Sequence, residues 1–403
     1  MKKLLLGSTA LAAAGLFTGG AMAADPIKLT VNGYYQYYMV FGNYDRIPTY
    51  NASGIQTGNG SKGRTDRLAQ EGEIWFNGLT KLDNGTSIGF RVELEGYTQQ
   101  VNGTSAGDQM DEYYLIAFGD WGRMEVGATN GPMDKMVYGS PSALPGFGFV
   151  SSNFNFNAGG ANNAYSTAIQ GDRNLGDANK IIYYTPRFAG IQIGVSYTPE
   201  FQPGLNGNSC GATGGFGGQY GVCTKNDRGQ WQHAIDAGIN YLAKFNSLEV
   251  ALYGGFMTAA PENDLNAGGY DVNRRWWHWL TGTQLTWQGF SIGGYLGRDN
   301  NGVISGNQTW FYSAAFTYTT GPWQFGAGWR RFVRHEDAYS IAAGLATGVA
   351  GKDKYDYYEA GVNYKLGPGI TLVGGLNWNV SNGQRADERA DSWQVFFGTA
   401  LVF

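Results

Sequence analysis

Apolar and polar residues alternate with a period of two along many short stretches of this chain. In residues 87–95 the alternate positions carry Ile88, Phe90, Val92 and Leu94, and the positions between them include Arg91, Glu93 and Glu95. Successive side chains of an extended strand lie on opposite faces, so the pattern predicts a β-strand with one apolar and one charged face. One such strand fits a soluble sheet or a membrane barrel equally well.

The number and spacing of these stretches favour the barrel. Sixteen candidate strands lie near 28–41, 66–79, 85–97, 110–119, 122–129, 179–186, 190–198, 231–242, 247–257, 275–287, 289–298, 308–319, 323–332, 354–365, 370–379 and 392–403. Seven connections are predicted tight turns, at 83–85, 119–122, 186–190, 244–247, 288–289, 320–322 and 367–369, and eight longer loops alternate with them. An even strand number, with short turns on one rim and long loops on the other, is typical of a transmembrane β-barrel.

Aromatic residues make up 15% of the chain and cluster at predicted strand ends, as at Trp75-Phe76, Trp121, Tyr183-Tyr184 and Trp276-Trp277. Amphipathic rings favour the boundary between lipid and water, so this placement predicts two aromatic girdles. The alternative is that these rings fill an ordinary core. The mean hydropathy of −0.31 is that of a water-soluble protein, but strict alternation can hide a lipid-facing surface within such an average.

The amino-terminal residues have the pattern of a secretory signal. Lys2 and Lys3 precede an apolar run, and the small-residue triplet Ala21-Met22-Ala23 follows it. We therefore expect a signal peptide over residues 1–23 and a single barrel domain over residues 24–403. No other stretch has the roughly 18 apolar residues that a membrane-spanning helix needs. The formal net charge of −4 gives no reason to expect nucleic acid as a partner.

Two local patterns carry a resemblance to a known family. The first is Glu71-Gly72-Glu73-Ile74-Trp75-Phe76 followed by the Asn84-Gly85 hairpin, and the second is a closing strand whose alternate positions end on Phe403. With the export signal and the strand count, the mature chain resembles the Gram-negative general porins. The resemblance implies an all-β fold, namely a closed 16-stranded antiparallel transmembrane β-barrel with the long third loop folded into the lumen.

The same resemblance implies a function and a set of partners. It indicates a homotrimer in the outer membrane, in contact with membrane lipid and lipopolysaccharide, through which ions and small hydrophilic solutes diffuse passively. Phe403 matches the terminal aromatic that the barrel-assembly machinery reads in that family. Neither a cofactor nor a metal is implied. Acids in or beside the loops, such as Asp108 and Asp111, are alternative calcium or lipopolysaccharide contacts.

The longest connection, from about Asn130 to Asn179, corresponds to the third loop. Connections this long are usually functional. Its apolar residues suit burial inside the barrel, and they are Met133, Met136, Val137, Leu144, Phe147, Phe149, Phe154 and Phe156. The alternative is an exposed plug or a receptor-binding loop.

Charged residues on the pore wall decide which ions pass, because an ion in a narrow passage interacts strongly with nearby fixed charges. By resemblance, basic strand residues face loop acids across the constriction, which is predicted to comprise Arg67, Arg91, Glu93, Asp134, Asp172 and Asp177. The alternation of inward and outward positions along each strand, which we call parity, predicts further residues on the lumen wall, namely Glu71, Glu73, Glu95, Arg123 and Glu125. The chain departs from the family in that residues 139–165 contain no acid, which predicts a weaker transverse field.

Cys210 and Cys223 lie in one glycine-rich segment. In an exported protein this spacing favours a disulfide that closes one loop, with two free thiols as the alternative.

Three other functions would each require sequence features of their own. A lipid hydrolase would need a serine beside a histidine on the outer face. Parity instead places His278 in the lumen, His335 in a loop and His233 near the rim. A soluble β-sheet binding protein would not explain the closing aromatic strand. A channel specific for sugars would want a row of lumen aromatics, for which the candidates are Tyr34, Tyr38, Tyr253 and Tyr295.

Overall fold

A computed structural model describes the protein over residues 25–44, 49–50, 56–58, 65–95, 110–145, 175–201, 231–261, 275–302, 308–336, 351–383 and 389–403. No helix in this part of the chain is long and apolar enough to cross a membrane.

Sixteen strands of the described residues form one closed antiparallel barrel. Two short strands, β2 (Thr49–Tyr50) and β3 (Gln56–Gly58), pair with each other in the first long connection, where no strand is predicted. The barrel strands are β1 (Lys28–Tyr44), β4 (Asp66–Lys81), β5 (Ser87–Glu95), β6 (Met110–Gly119), β7 (Gly122–Ala128), β8 (Asn179–Tyr184), β9 (Ile191–Phe201), β10 (Trp231–Phe245), β11 (Leu248–Pro261), β12 (Trp276–Trp287), β13 (Phe290–Asp299), β14 (Gln308–Thr320), β15 (Trp323–Glu336), β16 (Gly351–Gly367), β17 (Ile370–Asn382) and β18 (Arg389–Val402). Each overlaps one predicted strand, so the predicted fold class is confirmed.

The barrel closes between its first and last strands. β1 pairs with β4 on one side and with β18 on the other. Phe403 completes this seam, because its N–H donates to the Gly33 carbonyl and its carbonyl accepts from the Gly33 N–H, both at 3.0 Å. Closure leaves no sheet edge, which matters because an unpaired backbone group has no partner in hydrocarbon.

All seven predicted tight turns are present, and they join strands at one rim. Two of them show the backbone that a two-residue hairpin requires. Gln288 and Gly289 have φ of +46° and +88°, and Ala189 and Gly190 have φ of +47° and +87°. Two successive positive φ angles match the right-handed twist of the flanking strands.

The two faces of the barrel differ as the alternation predicts. On β9, Ile193 and Val195 are each more than 40% exposed on the outside, whereas Ser196 on the inside is 1% exposed. On β18, Trp393, Val395 and Phe397 are about half exposed in the same way. So much exposed apolar surface is stable only against lipid.

One predicted position is wrong. His335 was expected in a loop, but β15 continues to Glu336 and His335 pairs with Lys352 of β16. The alternating pattern of β15 continues past the predicted end at residue 332, with Arg334 on the same inner face as Phe332. The first residues of β16 pair with this extension of β15.

Candidate functional site

The chain turns into the barrel after β7. It begins there with one helical turn, α1 (Pro132–Lys135). The Met133 N–H donates to the Asp236 carboxylate of β10 at 2.8 Å, and the Tyr253 hydroxyl of β11 donates to the Met133 carbonyl. Asp236 and Tyr253 lie on the inner face of their strands. The first turn of the third loop is therefore fixed to the inside of the wall.

The segment continues along the inner wall as far as Pro145. Further contacts hold it: Asn240 Nδ2 to the Met136 carbonyl at 3.1 Å, Ser140 to Ser313 at 2.7 Å, Ser142 to Glu359 at 2.7 Å, Asn363 Nδ2 to the Ala143 carbonyl at 3.1 Å, and the Tyr38 hydroxyl to the Pro145 carbonyl at 2.8 Å. These partners belong to β10, β14, β16 and β1. We call residues 131–145 the inner loop segment.

Glycines on the inner face of the wall give this segment room. A Cβ on Gly282 would collide with the Tyr138 carbonyl oxygen, and one on Gly293 would collide with the Gly139 carbonyl oxygen. The same close approach to the inner loop segment occurs at Gly194, Gly238, Gly255, Gly326, Gly361 and Gly375. Any larger residue at these positions would push the segment away from the wall.

Apolar packing adds to these contacts. Met133 and Met136 are buried in a cluster with Ile182 and Met257 of the wall. Leu144 is buried in a second cluster with residues of β1, β4, β17 and β18. The burial predicted from these loop residues is thus confirmed for them. Phe147, Phe149, Phe154 and Phe156 lie outside the described residues.

Arg91 and Glu93 lie side by side on the inner face of β5. They form an ion pair through Arg91 Nε, and the Arg91 guanidinium carbon lies 4.4 Å above the Trp75 ring. Glu93 is buried, whereas about a third of the Arg91 side chain is exposed to the lumen. The charge of Arg91, one of the two basic residues of the predicted transverse field, is therefore largely neutralised by its neighbour.

A second group of charges joins the wall to α1. Lys135 Nζ lies 3.0 Å from the carboxylate of Glu125, a fully buried residue of β7, and 4.0 Å from that of Glu112 on β6. Arg123 also contacts Glu125. The inner loop segment therefore contributes a cation that pairs with acids of the wall, whereas the resemblance predicts loop acids facing basic strands.

The remaining wall residues on β4 form hydrogen bonds of their own. The Tyr34 hydroxyl lies 2.8 Å from both Glu71 Oε1 and Glu73 Oε1, and Trp75 Nε1 donates to Glu73 Oε2 at 2.7 Å. Arg67 lies half-buried on the inner face of the same strand. Glu95 pairs through its backbone with Glu73.

The predicted loop acids are not gathered in one place. Asp134 belongs to α1, and Asp172 lies outside the described residues. Asp177 precedes β8, at the long-loop rim beside Asp111 and Glu112. Burial, together with the charges of Asp111 and Glu112, raises the pKa of Asp177 to about 9. Asp177 is therefore a neutral carboxylic acid at the channel mouth at pH 7.

We expect this proton to make stability depend on pH. The unfolded carboxyl has a pKa near 4, so the stabilisation by protonated Asp177 is complete below about pH 4 and is lost as the pH rises toward 9. Urea unfolding at pH 5, 7 and 9 should show the wild type losing stability relative to Asp177→Asn, which has nothing to ionise. Parallel pH profiles for the two proteins would contradict this assignment.

The tyrosines that suggested a sugar path have other roles. Tyr38 and Tyr253 donate to carbonyls of the inner loop segment, and Tyr295 packs against Gly139. Tyr34 binds two carboxylates. Three of the four rings thus hold the loop in place.

The three histidines make separate contacts. His233 is 2.7 Å from the Tyr197 hydroxyl, and His278 stacks on Phe311 with ring centroids 5.3 Å apart. His335 lies opposite Lys352. Cys210 and Cys223 lie outside the described residues, so their disulfide stays a prediction.

Several site residues escaped prediction. Parity alone can place Asp236, Asn240, Glu359 and Asn363 on the inner face, but it does not show that they hold the loop. Lys135 follows Asp134 directly, in the part of the loop whose apolar residues predicted burial, and that proximity was the available signal for a second charge there.

Comparison with known proteins agrees with this architecture. Residues 8–384 match the family model described as Gram-negative porin. The fold is similar to the anion-selective porin from Comamonas acidovorans, which is 15% identical, with a TM-score of 0.57 over 94% of this chain and 100% of that one. It is also similar to the outer membrane channel DcaP of Acinetobacter baumannii, 12% identical, with a TM-score of 0.60 over 94% of this chain and 98% of that one.

A third similar structure is OmpT of Vibrio cholerae in its trimer form, 11% identical, with a TM-score of 0.55 over 93% of this chain and 99% of that one. No curated protein matches the sequence. The family match spans most of the chain, and the barrel has the closure, strand number and outer apolar face of a pore-forming protein. The chain belongs to the Gram-negative porin family and forms a passive channel across the outer membrane.

Proposed function

We propose that this channel is a general, weakly selective porin for ions and small hydrophilic solutes, narrowed by its third loop. The observation that carries the proposal is the inner loop segment, which hydrogen bonds from β1, β10, β11, β14 and β16 hold along the inner wall. A loop held in this way reduces the cross-section without sealing it. Sixteen strands otherwise leave an aqueous channel.

Weak selectivity is proposed because the charges near the segment pair locally. Arg91 pairs with Glu93, and Lys135 pairs with Glu125. An ion therefore meets small alternating fields and no large one of a single sign. The proposed constriction residues are Arg67, Arg91, Glu93, Asp134 and Asp172, with Lys135 added, whereas Asp177 lies at the long-loop rim.

A solute-specific channel is the second candidate. The Comamonas protein is described as anion-selective, and a cavity of about 330 Å³ in this lumen is lined by Arg123, Lys135 and Arg187. Glu125 contacts the first two of these cations, which weakens a preference for anions. We therefore favour the general porin.

The cellular setting is proposed from the family and the sequence. Residues 1–23 direct export, and residues 24–403 form the barrel. A homotrimer is supported by the trimer form of the similar OmpT. Phe403, which closes the seam with Gly33, is the proposed signal for the assembly machinery. Lipopolysaccharide surrounds the outer face.

Reversal potentials under a salt gradient test the pore charges. Arg91→Ala should shift permeability toward cations and Asp134→Ala toward anions, each by up to about fivefold, because one charge at 4 Å in water contributes about 1 kcal/mol. Planar bilayers containing the purified protein should show ohmic steps, often in threes. Shifts in the same direction for both variants would contradict the assignment, and absent conductance would contradict the pore.

A further inference from the structure

The cavity of about 330 Å³ in the lumen lies between the inner loop segment and the tight-turn rim. The turn-side ends of β7, β8 and β9 and the inner face of β10 form its wall side, and the inner loop segment forms the opposite side. Its lining is rich in polar side chains, among them Arg123, Lys135, Tyr184, Arg187, Gln192 and Asn240. A volume at the lower end of the range for ligand pockets has room for a small organic molecule.

Two buried side chains of this cavity each have one polar atom without a hydrogen-bond partner. Tyr184 of β8 is 5% exposed, and no partner for its hydroxyl lies among the described residues. Asn240 of β10 is 4% exposed. Its Nδ2 donates to the Met136 carbonyl, whereas its Oδ1 has no donor in the same part of the chain. Leaving such atoms unsatisfied is costly, so they indicate that the cavity holds a bound molecule.

The two atoms require opposite partners from that molecule. A Cβ on Gly194 of β9 would lie 2.7 Å from Tyr184 Cδ1, so the tyrosine ring leans over the next strand. Asn240 lies beyond it on β10, opposite Gln192 of β9. The tyrosine hydroxyl can donate a hydrogen bond, whereas the amide oxygen can only accept one. A ligand that satisfies both atoms therefore carries an acceptor and a donor.

The charge of the cavity decides the kind of acceptor. Arg123 and Lys135 both contact the buried carboxylate of Glu125. Arg187 donates to Gln192 Oε1 at 2.9 Å, and no carboxylate among the described residues lies at ion-pair distance from it. Arg187 therefore gives the cavity a positive charge that favours an anionic ligand. Because water and salt screen a single such charge, the ion selectivity of the whole pore stays weak.

We propose that this cavity binds small 2-hydroxycarboxylic acids on their way through the channel, an inference that rests on the loop-narrowed general porin proposed above. The carboxylate accepts from the Tyr184 hydroxyl and from the Arg187 guanidinium, a charge-assisted bond. The 2-hydroxyl donates to Asn240 Oδ1, and the aliphatic part of the solute lies against Met136 and Val137. A 2-amino acid fits less well, because its ammonium group would lie among cations.

Planar-bilayer recording of the purified protein in potassium chloride tests the site, with gluconate as the probe. Gluconate carries a carboxylate and a 2-hydroxyl, and its binding in the narrowed lumen should reduce the ionic current in a saturable way. Glucose lacks the carboxylate, and hexanoate lacks the 2-hydroxyl. Each should therefore need about fivefold more solute for the same reduction, which is the effect of losing one hydrogen bond.

Single variants locate the binding within the lumen. Tyr184→Phe removes only the unpartnered hydroxyl and should raise the half-maximal gluconate concentration about fivefold, and Arg187→Gln should raise it about tenfold. Tyr183→Phe is the matched control, because Tyr183 faces outward and its hydroxyl donates to the Trp121 carbonyl. Lys244→Gln removes a lumen cation outside this cavity. Both controls should respond to gluconate like the wild type.

The possible results separate this site from the pore itself. A current that gluconate leaves unchanged would mean that the cavity holds only water. Equal effects of gluconate and hexanoate, or an unchanged response of Tyr184→Phe, would mean that the anion acts elsewhere in the lumen. Each of these results overturns the proposal. If the wild type forms no pore in potassium chloride alone, the porin assignment fails, whereas a conducting pore without a gluconate response contradicts only the site.

Discussion

Valine at position 282 is expected to lower both the single-channel conductance and the free energy of unfolding. Its Cβ would collide with the Tyr138 carbonyl oxygen, and the wall cannot retreat because β12 is hydrogen-bonded to β11 and β13 along its length. The inner loop segment must then move toward the channel axis and narrow the passage. Overpacking of this kind costs about 1–3 kcal/mol. Planar-bilayer recording and urea unfolding measure the two effects.

Gly254→Val is the matched control. Gly254 lies on the neighbouring strand but faces outward, and the nearest atom to its Cβ would be Ile239 Cγ2 at 3.5 Å, an ordinary contact. It should conduct like the wild type. If Gly282→Val also conducts normally, the segment next to Tyr138 does not limit the current, and the constriction must lie elsewhere along the loop.

Lys135→Met is expected to destabilise the barrel by about 3 kcal/mol, because it removes a cationic partner of Glu125 and leaves that buried carboxylate poorly compensated. Glu125 is fully buried, and among the described residues Arg123 would remain as its ion-pair partner. The free energy of unfolding from urea titration measures the loss. Reversal potentials should show that the same variant is more cation-selective, since it removes a positive charge from the lumen.

Lys244→Met tests whether burial is the reason. Lys244 pairs with Glu249 at 2.8 Å, close to the 3.0 Å between Lys135 and Glu125. The side chains of Lys244 and Glu249 are, however, both more than half exposed. An exposed pair contributes at most about 1 kcal/mol. Similar losses for the two methionine variants would mean that Glu125 is reached by water and that the ion pair does not anchor the loop.

The sequence by itself determined the strands, their number and their inward and outward faces. A period of two is a local property, as in residues 87–95, and glycine-containing pairs such as Gln288-Gly289 specify their turns without distant contacts. Apolar residues such as Met133 and Leu144 were enough to predict that part of the long loop is buried.

Only the tertiary structure decided which residues meet across the lumen. Asp236 and Met133 are 103 residues apart in the chain, and Tyr38 and Pro145 are 107 apart, so no local pattern links them. Parity places Gly282 on the inner face, but only the structure shows that it touches the loop. Lys135 pairs with Glu125 because the path of the loop brings it there, whereas Arg91 pairs with Glu93 on its own strand. Parity fixes the face of a strand on which a charge lies, whereas its partner depends on the path of the whole chain.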